Sequence, residues 1–358
     1  MQKVLCIGPG GRPLTGQSIA FDEFFERSRV ATHKISNNFE GMHAFAKIRA
    51  SLMFLAAYCR MLFVIRPSHL YVSIKRSSLG AIMDAFSIAL FKAQGGKRTI
   101  LHVHGADIRS KSSSWLQRVS INFSMSTADR IIILVDDMKE ALNPSFRDKA
   151  TAVGNFSSQE LEFSALTAKI QGSDVGPLHV LYLSNIIYSK GITFLTEAVE
   201  MLADQGANIK LTIAGAVMDD KDWPNESVKN TTFLGCQSID YIGVVEGVKK
   251  WELLQASHII ALPTFYAAEA QPLSLIEGMA YGCVPLTTRH NFNQSFLPSE
   301  PAVIYVKPQS TGDIFDKLSD IIQNRDILKG RMLKSAKFAH GRYGADQYAL
   351  KIDREIQG

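Results

Sequence analysis

The stretch 261–288, ALPTFYAAEAQPLSLIEGMAYGCVPLTT, decides the fold class of this chain. It begins at the end of an apolar run, 259–262, which predicts a buried strand stopped by Pro263. Residues 271–281 then place apolar side chains at helical spacing, and Gly282 follows where a helix-ending glycine is expected. A second short apolar run comes directly afterwards. Strand, loop, helix and strand in this order form the repeating unit of a parallel α/β sheet.

Two carboxylates, Glu269 and Glu277, frame this loop and helix. A loop that enters a helix presents unpaired backbone N–H groups and the positive end of the helix dipole, which suits a diphosphate. Pro272 has no N–H to donate. The expected donors are the backbone N–H groups of Gln271, Leu273 and Ser274. One carboxylate can accept from the vicinal hydroxyls of a ribose, and the other can face the group that the phosphates carry. On spacing alone, two solvated helix-end charges explain the pattern equally well.

The segment 263–288 resembles the E-x7-E segment of nucleotide-sugar glycosyltransferases that have the GT-B fold, specifically those of glycosyltransferase family 4. The matching residues are the proline after the strand, both glutamates, Pro272-Leu273, Gly278-Met279-Ala280, Gly282 and Pro285. In such enzymes the second glutamate holds the donor ribose, and the first lies near the transferred sugar. The resemblance therefore implies these roles for Glu277 and Glu269, with Glu269 as a catalytic residue.

The same resemblance implies an α/β chain with two Rossmann-like parallel-sheet domains that face each other across a cleft. It also implies a retaining transfer of a sugar from a nucleotide diphosphate sugar to a hydroxyl acceptor, without a metal or other cofactor. The acceptor expected from the family is a saccharide or a lipid-linked saccharide, in the synthesis of a surface polysaccharide or O-antigen.

The length and composition fit two folded domains, since the chain has 358 residues, 46% of them hydrophobic and 20% charged. The polar segment 157–177 marks a boundary. We predict an acceptor-side domain over 1–165 and a donor domain over 166–340. By the resemblance, a last helix over 341–358 crosses back to the first domain.

The chain has the features of a cytoplasmic protein. It contains no uninterrupted apolar run long enough to span a membrane, and its first residues run into a strand rather than a signal peptide. Its cysteines are four scattered residues without C-x-x-C spacing, which favours reduced structural thiols and argues against a zinc site.

The charge is uneven along the chain. Residues 1–178 hold 22 Lys and Arg against 14 Asp and Glu, whereas the remainder holds 17 against 20. A basic first half suggests an anionic partner, such as a membrane face, a lipid-linked acceptor or nucleic acid. Nucleic acid ranks last, because no nucleic-acid-binding motif accompanies the charge. The apolar and basic segment 45–64 can lie peripherally on the inner face of an anionic membrane, but we favour a core helix.

A glycine-rich loop, GPGGRPLTGQS, follows the first predicted strand. It is neither G-x-G-x-x-G nor a Walker motif, so a dinucleotide or ATP loop is not expected. An ordinary strand-to-helix turn explains it as well as a ligand-binding loop does. Family 4 enzymes carry a glycine-rich loop here, facing donor phosphates and acceptor, and this resemblance implies Gly10, Gly11 and Gly16 as cleft residues.

His104 follows a predicted strand, 99–103, at the carboxyl end where ligands collect in open α/β sheets. A histidine there can hydrogen-bond a sugar hydroxyl or take a proton from an acceptor, although a structural role is as common. The text HVHGADI resembles the acceptor-side loop of family 4, which favours His104 over His102 as a catalytic residue.

Lys190 stands at a strand-to-helix junction, where it can neutralise phosphate. The family has a Gly-Arg pair shortly before this Lys-Gly, but here the pair is Ser184-Asn185, so a second basic phosphate contact is in doubt. Lys190 then acts alone or with a residue such as Arg12. By resemblance, the strand end at Leu234 meets the nucleotide base. We interpret the D-x-D at 220–222 as a solvated turn and predict no metal site.

Three other functions compete with glycosyl transfer. A nucleotide-sugar epimerase shares this fold and acts without an acceptor. A non-catalytic nucleotide-binding relative is supported by the missing Gly-Arg pair but opposed by the retained glutamates and lysine. A dehydrogenase of the Rossmann type would require the G-x-G-x-x-G motif that the chain lacks.

Overall fold

A computed structural model describes residues 3–11, 14–37, 43–107, 114–218, 223 and 236–358. The chain forms two compact units. Unit 1 comprises Met1–Phe156 with Gly344–Gly358, and unit 2 comprises Ser157–Tyr343. The chain thus leaves unit 1 earlier than residue 165.

Unit 1 is built on a parallel six-stranded sheet in the order β2-β1-β3-β4-β5-β6. Its strands are β1 Val4–Gly8, β2 His33–Ser36, β3 His69–Ser73, β4 Arg98–His102, β5 Arg130–Ile133 and β6 Ala150–Ala152. Its helices are α1 Gly16–Arg27, α2 Ala44–Ile65, α3 Ser78–Ala93, α4 Trp115–Thr127, α5 Met138–Ala141, α6 Pro144–Arg147 and, from the chain terminus, α14 Ala345–Gln357. The inner strands β1, β3, β4 and β5 are buried over almost their whole length, because both faces of a parallel sheet are covered by helices.

The strand order divides the helices of unit 1 between two faces of its sheet. Successive right-handed crossovers from β2 to β3, β4 and β5 place α2, α3 and α4 on one face. Helix α1 lies on the other face, where α14 packs against it and Tyr348 donates a hydrogen bond to the Ala20 carbonyl. The last helix, expected over 341–358, begins at Ala345 in the structure.

Unit 2 repeats this architecture with the order β12-β11-β10-β7-β8-β9. Its strands are β7 Leu178–Leu183, β8 Ile209–Ala214, β9 Ile239–Tyr241, β10 Ile259–Leu262, β11 Val284–Thr288 and β12 Ile304–Val306. Its helices are α7 Phe163–Gln171, α8 Ile192–Asp204, α9 Gly247–Ala256, α10 Leu273–Ala280, α11 Asn293–Phe296, α12 Thr311–Gln323 and α13 Arg325–Ala339, with a 3₁₀ turn at Tyr188–Lys190.

The predicted strand–loop–helix–strand unit around the E-x7-E segment is confirmed as β10, α10 and β11. Helix α10 begins at Leu273, because Pro272 fits at a helix entry but cannot continue a preceding turn. Gly282 follows the helix with a φ of 75°, the left-handed conformation that glycine adopts readily. The strand predicted to end near Leu234 lies outside the described residues, and β9 was not predicted.

Candidate functional site

Two loops of unit 2 meet at the carboxyl ends of the neighbouring strands β7 and β10. The Phe265 N–H donates to the Ser189 carbonyl over 2.8 Å, which joins the loops directly. At Gly191, where φ is 78°, an added Cβ would lie 2.2 Å from the Pro263 carbonyl oxygen. Only glycine combines this backbone conformation with such a close approach, so Gly191 fixes the position of the adjoining lysine.

Lys190 and Glu269 form an ion pair where these loops meet. The Lys190 ammonium nitrogen lies 3.3 Å from Oε2 of Glu269, and the two side chains are only 14% and 12% exposed. Lys190 directs a hydrogen bond of 2.8 Å to the Ser184 hydroxyl instead. Oε2 of Glu269 is buried and has no hydrogen-bond partner among the described residues. The ammonium and the carboxylate therefore attract each other, but Oε2 of Glu269 lacks a hydrogen bond, as expected of groups that bind a ligand.

Ser184 and Asn185 occupy the positions of the family's Gly-Arg pair. The Ser184 hydroxyl accepts the hydrogen bond from Lys190, and the Asn185 carbonyl accepts one from the Tyr182 hydroxyl over 3.1 Å. An added Cβ on Gly215 would lie 1.9 Å from the Ser184 carbonyl, so the loop after β8 is pressed against this turn. The departure from the family pattern thus removes one cation and gives the remaining lysine a neutral partner.

The loop that carries Glu269 is held by one residue at the end of β11 and one just after it. The Asn291 amide donates to the carbonyls of Glu269 and Ala267 over 2.7 and 3.1 Å. The Thr288 hydroxyl donates to the Thr264 carbonyl. Sequence reasoning did not identify Asn291, because its partners are backbone atoms of a loop more than 20 positions earlier and no local spacing signals them.

Glu277 is paired with a lysine that sequence reasoning missed. The Lys250 ammonium donates to Oε1 of Glu277 over 2.7 Å, and the Glu277 side chain is 6% exposed. Lys250 also lies over the Trp251 ring at 4.0 Å, and that ring stacks on Tyr281. Lys250 is on α9, before β10, so only the tertiary packing of two helices brings it to Glu277.

Burial and these glutamates also raise the pKa values of two neighbouring tyrosines. Burial, followed by the charge of Glu269, raises the pKa of Tyr182 well above its ordinary value. Burial, followed by the charge of Glu277, raises the pKa of Tyr281. Both phenols therefore stay protonated near neutral pH and can act as hydrogen-bond donors.

Two helix entries at this edge of the sheet leave polar groups for an anion. At α10, Pro272 offers no side-chain cap, so the first-turn N–H groups of Leu273 and Ser274 lack one. At α8 the N-cap is Gly191. The buried hydroxyls of Ser189 and Thr193, which flank this entry, find no hydrogen-bond partner among the described residues. A lysine, buried hydroxyls and helix N-termini form a set of groups that fits phosphate oxygens.

The predicted glycines lie in unit 1, where each has a local structural role. An added Cβ on Gly10 would lie 2.5 Å from a carboxylate oxygen of Asp22, and Gly11 donates its N–H to that carboxylate over 2.8 Å. Gly16 is the first residue of α1, whose N-cap is Thr15. Arg12, Leu234 and the D-x-D at 220–222 lie outside the described residues.

His104 lies just beyond β4 and lines a small pocket in unit 1. The other lining residues are Ile74, Lys75, Arg76, Val103, Gly105, Ile121 and Met125. Its Nε2 has no hydrogen-bond partner among the described residues, whereas Nδ1 of His102 is 2.6 Å from the Tyr71 hydroxyl. Burial, followed by the charge of Arg76, lowers the pKa of His104 to about 3. The ring is therefore neutral at neutral pH and better suited to hydrogen bonding than to holding a proton.

The structure thus brings Lys190 and Glu269 together, and it pairs Glu277 with Lys250, at one edge of the sheet in unit 2. Gln271, Leu273 and Ser274 are buried beside them at the entry to α10. In the part of the chain that the structure describes, no group of three or more His, Cys, Asp or Glu side chains is placed to hold a metal ion.

Comparison with known proteins agrees with this picture. Residues 165–337 match the model of the family described as "Glycosyl transferases group 1". A 139-residue segment is 27% identical to the D-rhamnosyltransferase WbpZ of Pseudomonas aeruginosa. That alignment covers 36% of this chain and 34% of the relative, so it spans about a third of the relative's length.

Solved structures of similar fold cover the whole chain. Anabaena Alr3699/HepE in complex with UDP and glucose has a TM-score of 0.73 at 11% identity, with all of both chains covered. Sucrose-phosphate synthase from Thermosynechococcus elongatus has a TM-score of 0.75 at 13% identity, covering 100% of this chain and 98% of the other. Identities this low establish the fold alone, and the predicted GT-B class is confirmed.

Proposed function

We propose that this chain, whose residues 165–337 match the model of the glycosyl transferases group 1 family, transfers a sugar from a nucleotide diphosphate sugar to a hydroxyl acceptor. The observation that carries the proposal is the Lys190–Glu269 ion pair, which has low solvent exposure and lies at the carboxyl ends of β7 and β10. A cation at this place can bind the diphosphate of a donor, and a carboxylate can bind its sugar.

Lys190 supplies the positive charge for the diphosphate. As the bond between sugar and phosphate breaks, negative charge develops on the departing nucleotide, and preorganised donors stabilise it. Lys190, the hydroxyls of Ser189 and Thr193 and the N–H groups of Leu273 and Ser274 form such a donor set. The set needs no metal ion. Asn185 adds no charge to it, so more of the phosphate binding falls on Lys190 than in relatives with the Gly-Arg pair.

Glu269 faces the transferred sugar. Its unsatisfied Oε2 can accept a hydrogen bond from a sugar hydroxyl, and its negative charge favours the positive charge that develops at the anomeric carbon. Lys190 holds Glu269 in place from one side, and Asn291 holds its backbone from another. Transfer proceeds with retention of anomeric configuration.

Glu277 receives the ribose hydroxyls of the donor. A carboxylate can accept from both vicinal hydroxyls, and the ammonium of its partner Lys250 offsets its charge at low solvent exposure. Lys250 donates to one carboxylate oxygen, Oε1. When the ribose binds, Lys250 remains close enough to orient the carboxylate for it.

The acceptor is a saccharide hydroxyl, and we propose a lipid-linked saccharide in surface polysaccharide or O-antigen synthesis. Two features support this choice: the similarity to a D-rhamnosyltransferase and the basic first half of the chain. The enzyme then acts in the cytoplasm, at the inner face of the membrane. His104 lies at a strand end of unit 1 and serves as a hydrogen-bond partner of the acceptor.

Calorimetric titration with UDP, GDP, ADP and dTDP tests the donor site. We expect one nucleotide to bind the wild type, and we expect Lys190→Ala and Glu277→Ala each to weaken it roughly tenfold or more, since hydrogen bonds to charged groups contribute about 1.5–3 kcal/mol. Lys329→Ala is the matched control, because Lys329 makes an exposed ion pair with Asp174 in the same unit. If the folded wild type binds no nucleotide, the donor assignment fails.

The Ser184-Asn185 pair favours one rival function, a nucleotide-binding protein without transferase activity. Turnover separates the two. With the sugar form of the nucleotide that binds, the transferase releases free nucleotide diphosphate when a suitable saccharide is added. A protein that binds this donor in the titration and never releases the diphosphate with any acceptor is the non-catalytic relative.

A further inference from the structure

Helix α2 carries large apolar residues on all sides, although unit 1 covers only one side of the helix. The covered side includes Phe54, Tyr58 and Leu62, which are buried. On the opposite side large apolar residues face solvent, with Phe45 82% and Phe63 72% exposed. The others on this side are Ile48, Leu52, Met53 and Val64. A surface helix of a soluble protein normally carries polar residues there, so the exposed side calls for a partner.

The neighbouring helices extend this apolar surface. Helices α3 and α4 lie on the same face of the sheet as α2, and α3 packs against both. Each exposes its own stripe of large apolar side chains. These are Leu79, Ile82 and Phe86 on α3, and Trp115, Leu116, Val119 and Phe123 on α4. We call this outer surface, together with the exposed side of α2, the α2–α4 face.

The part of the α2–α4 face around α2 is positively charged. Residues 41–83 contain six Lys and Arg and no Asp or Glu. Arg49 and Arg60 are exposed among the apolar residues of α2, and Arg66 is exposed at its end. Long basic side chains beside exposed aromatic and aliphatic groups match an anionic lipid surface, where apolar groups enter the acyl region and cations meet phosphates.

We propose that the α2–α4 face of unit 1 docks on an anionic phospholipid bilayer, with α2 lying in the plane of the interface. Helix α2 is long and apolar enough to cross a membrane, since Phe45–Ile65 has a mean hydropathy of 1.7. The structure anchors it to unit 1 instead. The Tyr58 hydroxyl donates to the Ser87 carbonyl of α3 over 2.7 Å. If α2 crossed the membrane, its buried side would lose its contacts with unit 1.

A bilayer explains this face better than a protein partner does. A protein partner would have to place acidic groups opposite Arg49 and Arg60, which lie within the apolar side of α2, whereas an anionic bilayer presents phosphates over its whole surface. At a bilayer these side chains extend to the phosphate layer while their stems stay among the apolar groups. The sequence interpretation of 45–64 as a core helix therefore describes only one side of α2.

Flotation of the full chain with lipid vesicles tests the docking. We use vesicles of phosphatidylcholine alone and vesicles with about 30 mol% phosphatidylglycerol, because basic segments respond to anionic lipid. We expect the wild type to float with the anionic vesicles at least about tenfold more strongly than with the neutral ones, and less strongly at high salt.

Two variants divide the contributions. In Phe45→Ser/Leu52→Ser/Phe63→Ser we expect flotation with anionic vesicles to fall roughly tenfold or more, because the apolar insertion is lost. In Arg49→Gln/Arg60→Gln we expect the preference for anionic vesicles to shrink several-fold. The matched control is Phe163→Ser/Val175→Ser/Met201→Ser, which removes exposed apolar residues of unit 2 and leaves flotation unchanged.

Circular dichroism and thermal melting establish that each variant is folded. The proposal is overturned if the wild type does not float with anionic vesicles, or if the control variant loses flotation as much as the α2 variant. It is also overturned if the wild type self-associates through α2 in gel filtration and the vesicles do not compete with that association. In that case a second copy of the chain is the occupant of the face.

Discussion

Helices α2 and α10 are both apolar, but the structure treats them in opposite ways. Every residue of α10 is buried, including Glu277, whose charge is held by Lys250. Helix α2 leaves six large apolar side chains exposed. A buried charge and an uncovered apolar side are both costly to a folded protein, so each indicates a function. The first points to a small polar ligand and the second to an extended apolar surface.

The largest expected effect on stability is at the pair formed by Glu277 of α10 and Lys250 of α9. Lys250→Met should lower the free energy of unfolding by about 3 kcal/mol, since the buried carboxylate of Glu277 then loses the ammonium that pairs with it. The double variant Lys250→Met/Glu277→Gln should recover most of that loss. Urea unfolding of both variants checks this. Equal stabilities for the single variant and the wild type would show that Glu277 does not depend on Lys250.

A buried carboxylate of unit 1 gives the contrasting case. Asp84 in α3 accepts hydrogen bonds from the Lys75 backbone N–H over 2.8 Å and from the Asn37 amide over 3.2 Å. Burial raises its pKa from 3.8 to about 6, against the opposing charge of Lys75 and these hydrogen bonds. Because the folded pKa is the higher one, neutral Asp84 stabilises the fold fully below pH 3.8, and this contribution is lost as the pH rises to about 6.

Asp84→Asn cannot ionise, so it should not lose this contribution. The stability of the variant relative to the wild type should rise between pH 4 and pH 7, by on the order of 2 kcal/mol. Chemical unfolding at a series of pH values measures the difference. A constant difference across this range would mean that Asp84 has an ordinary pKa in the folded chain.

Gly191 tests the close packing behind Lys190. Gly191→Ala meets both a left-handed backbone and the Pro263 carbonyl, whereas Gly206→Ala meets a φ of 79° with nothing within 4 Å of the new Cβ. Both should be destabilised by about 1 kcal/mol through the backbone, and Gly191→Ala by about 1–2 kcal/mol more. Equal losses in thermal melts would mean that the loops separate easily.

The smallest effect is expected on the exposed side of α2. Phe63→Ser should change the free energy of unfolding by no more than about 0.5 kcal/mol, because surface substitutions away from packed groups have little effect. The buried counterpart Leu62→Ala should cost about 2–5 kcal/mol. A loss at Phe63 as large as at Leu62 would mean that the exposed side is packed after all.

The sequence predicted much of the fold because periodicity, prolines and glycines are local signals. Pro263 marks the end of β10, Pro272 marks the entry to α10, and Gly282 marks the turn after that helix. Strand β9 escaped prediction because its three residues, Ile239–Tyr241, have no run of apolar residues. The apolar character of α2 was equally visible, but which side is covered depends on neighbours far along the chain.

The candidate site was predicted in part, for the same reason. Lys190, Glu269 and Glu277 stand in motifs that spacing and resemblance reveal. Lys250 and Asn291 reach this site only through tertiary packing. Lys250 contacts a side chain 27 positions away, and Asn291 donates to loop carbonyls. Neither has a sequence signal of its own. Their roles are seen only from their contacts in the folded chain, because no local pattern of residue types indicates them.

The central claim is that the donor phosphates lie at the entry to α10 beside Lys190. Hydrogen–deuterium exchange, with and without the nucleotide that calorimetry selects, tests it most directly. We predict slower exchange at the amides of 273–275 and 189–193 in the wild type, and a much smaller change in Lys190→Ala. Protection confined to unit 1, or equal protection in the wild type and the variant, would contradict the claim.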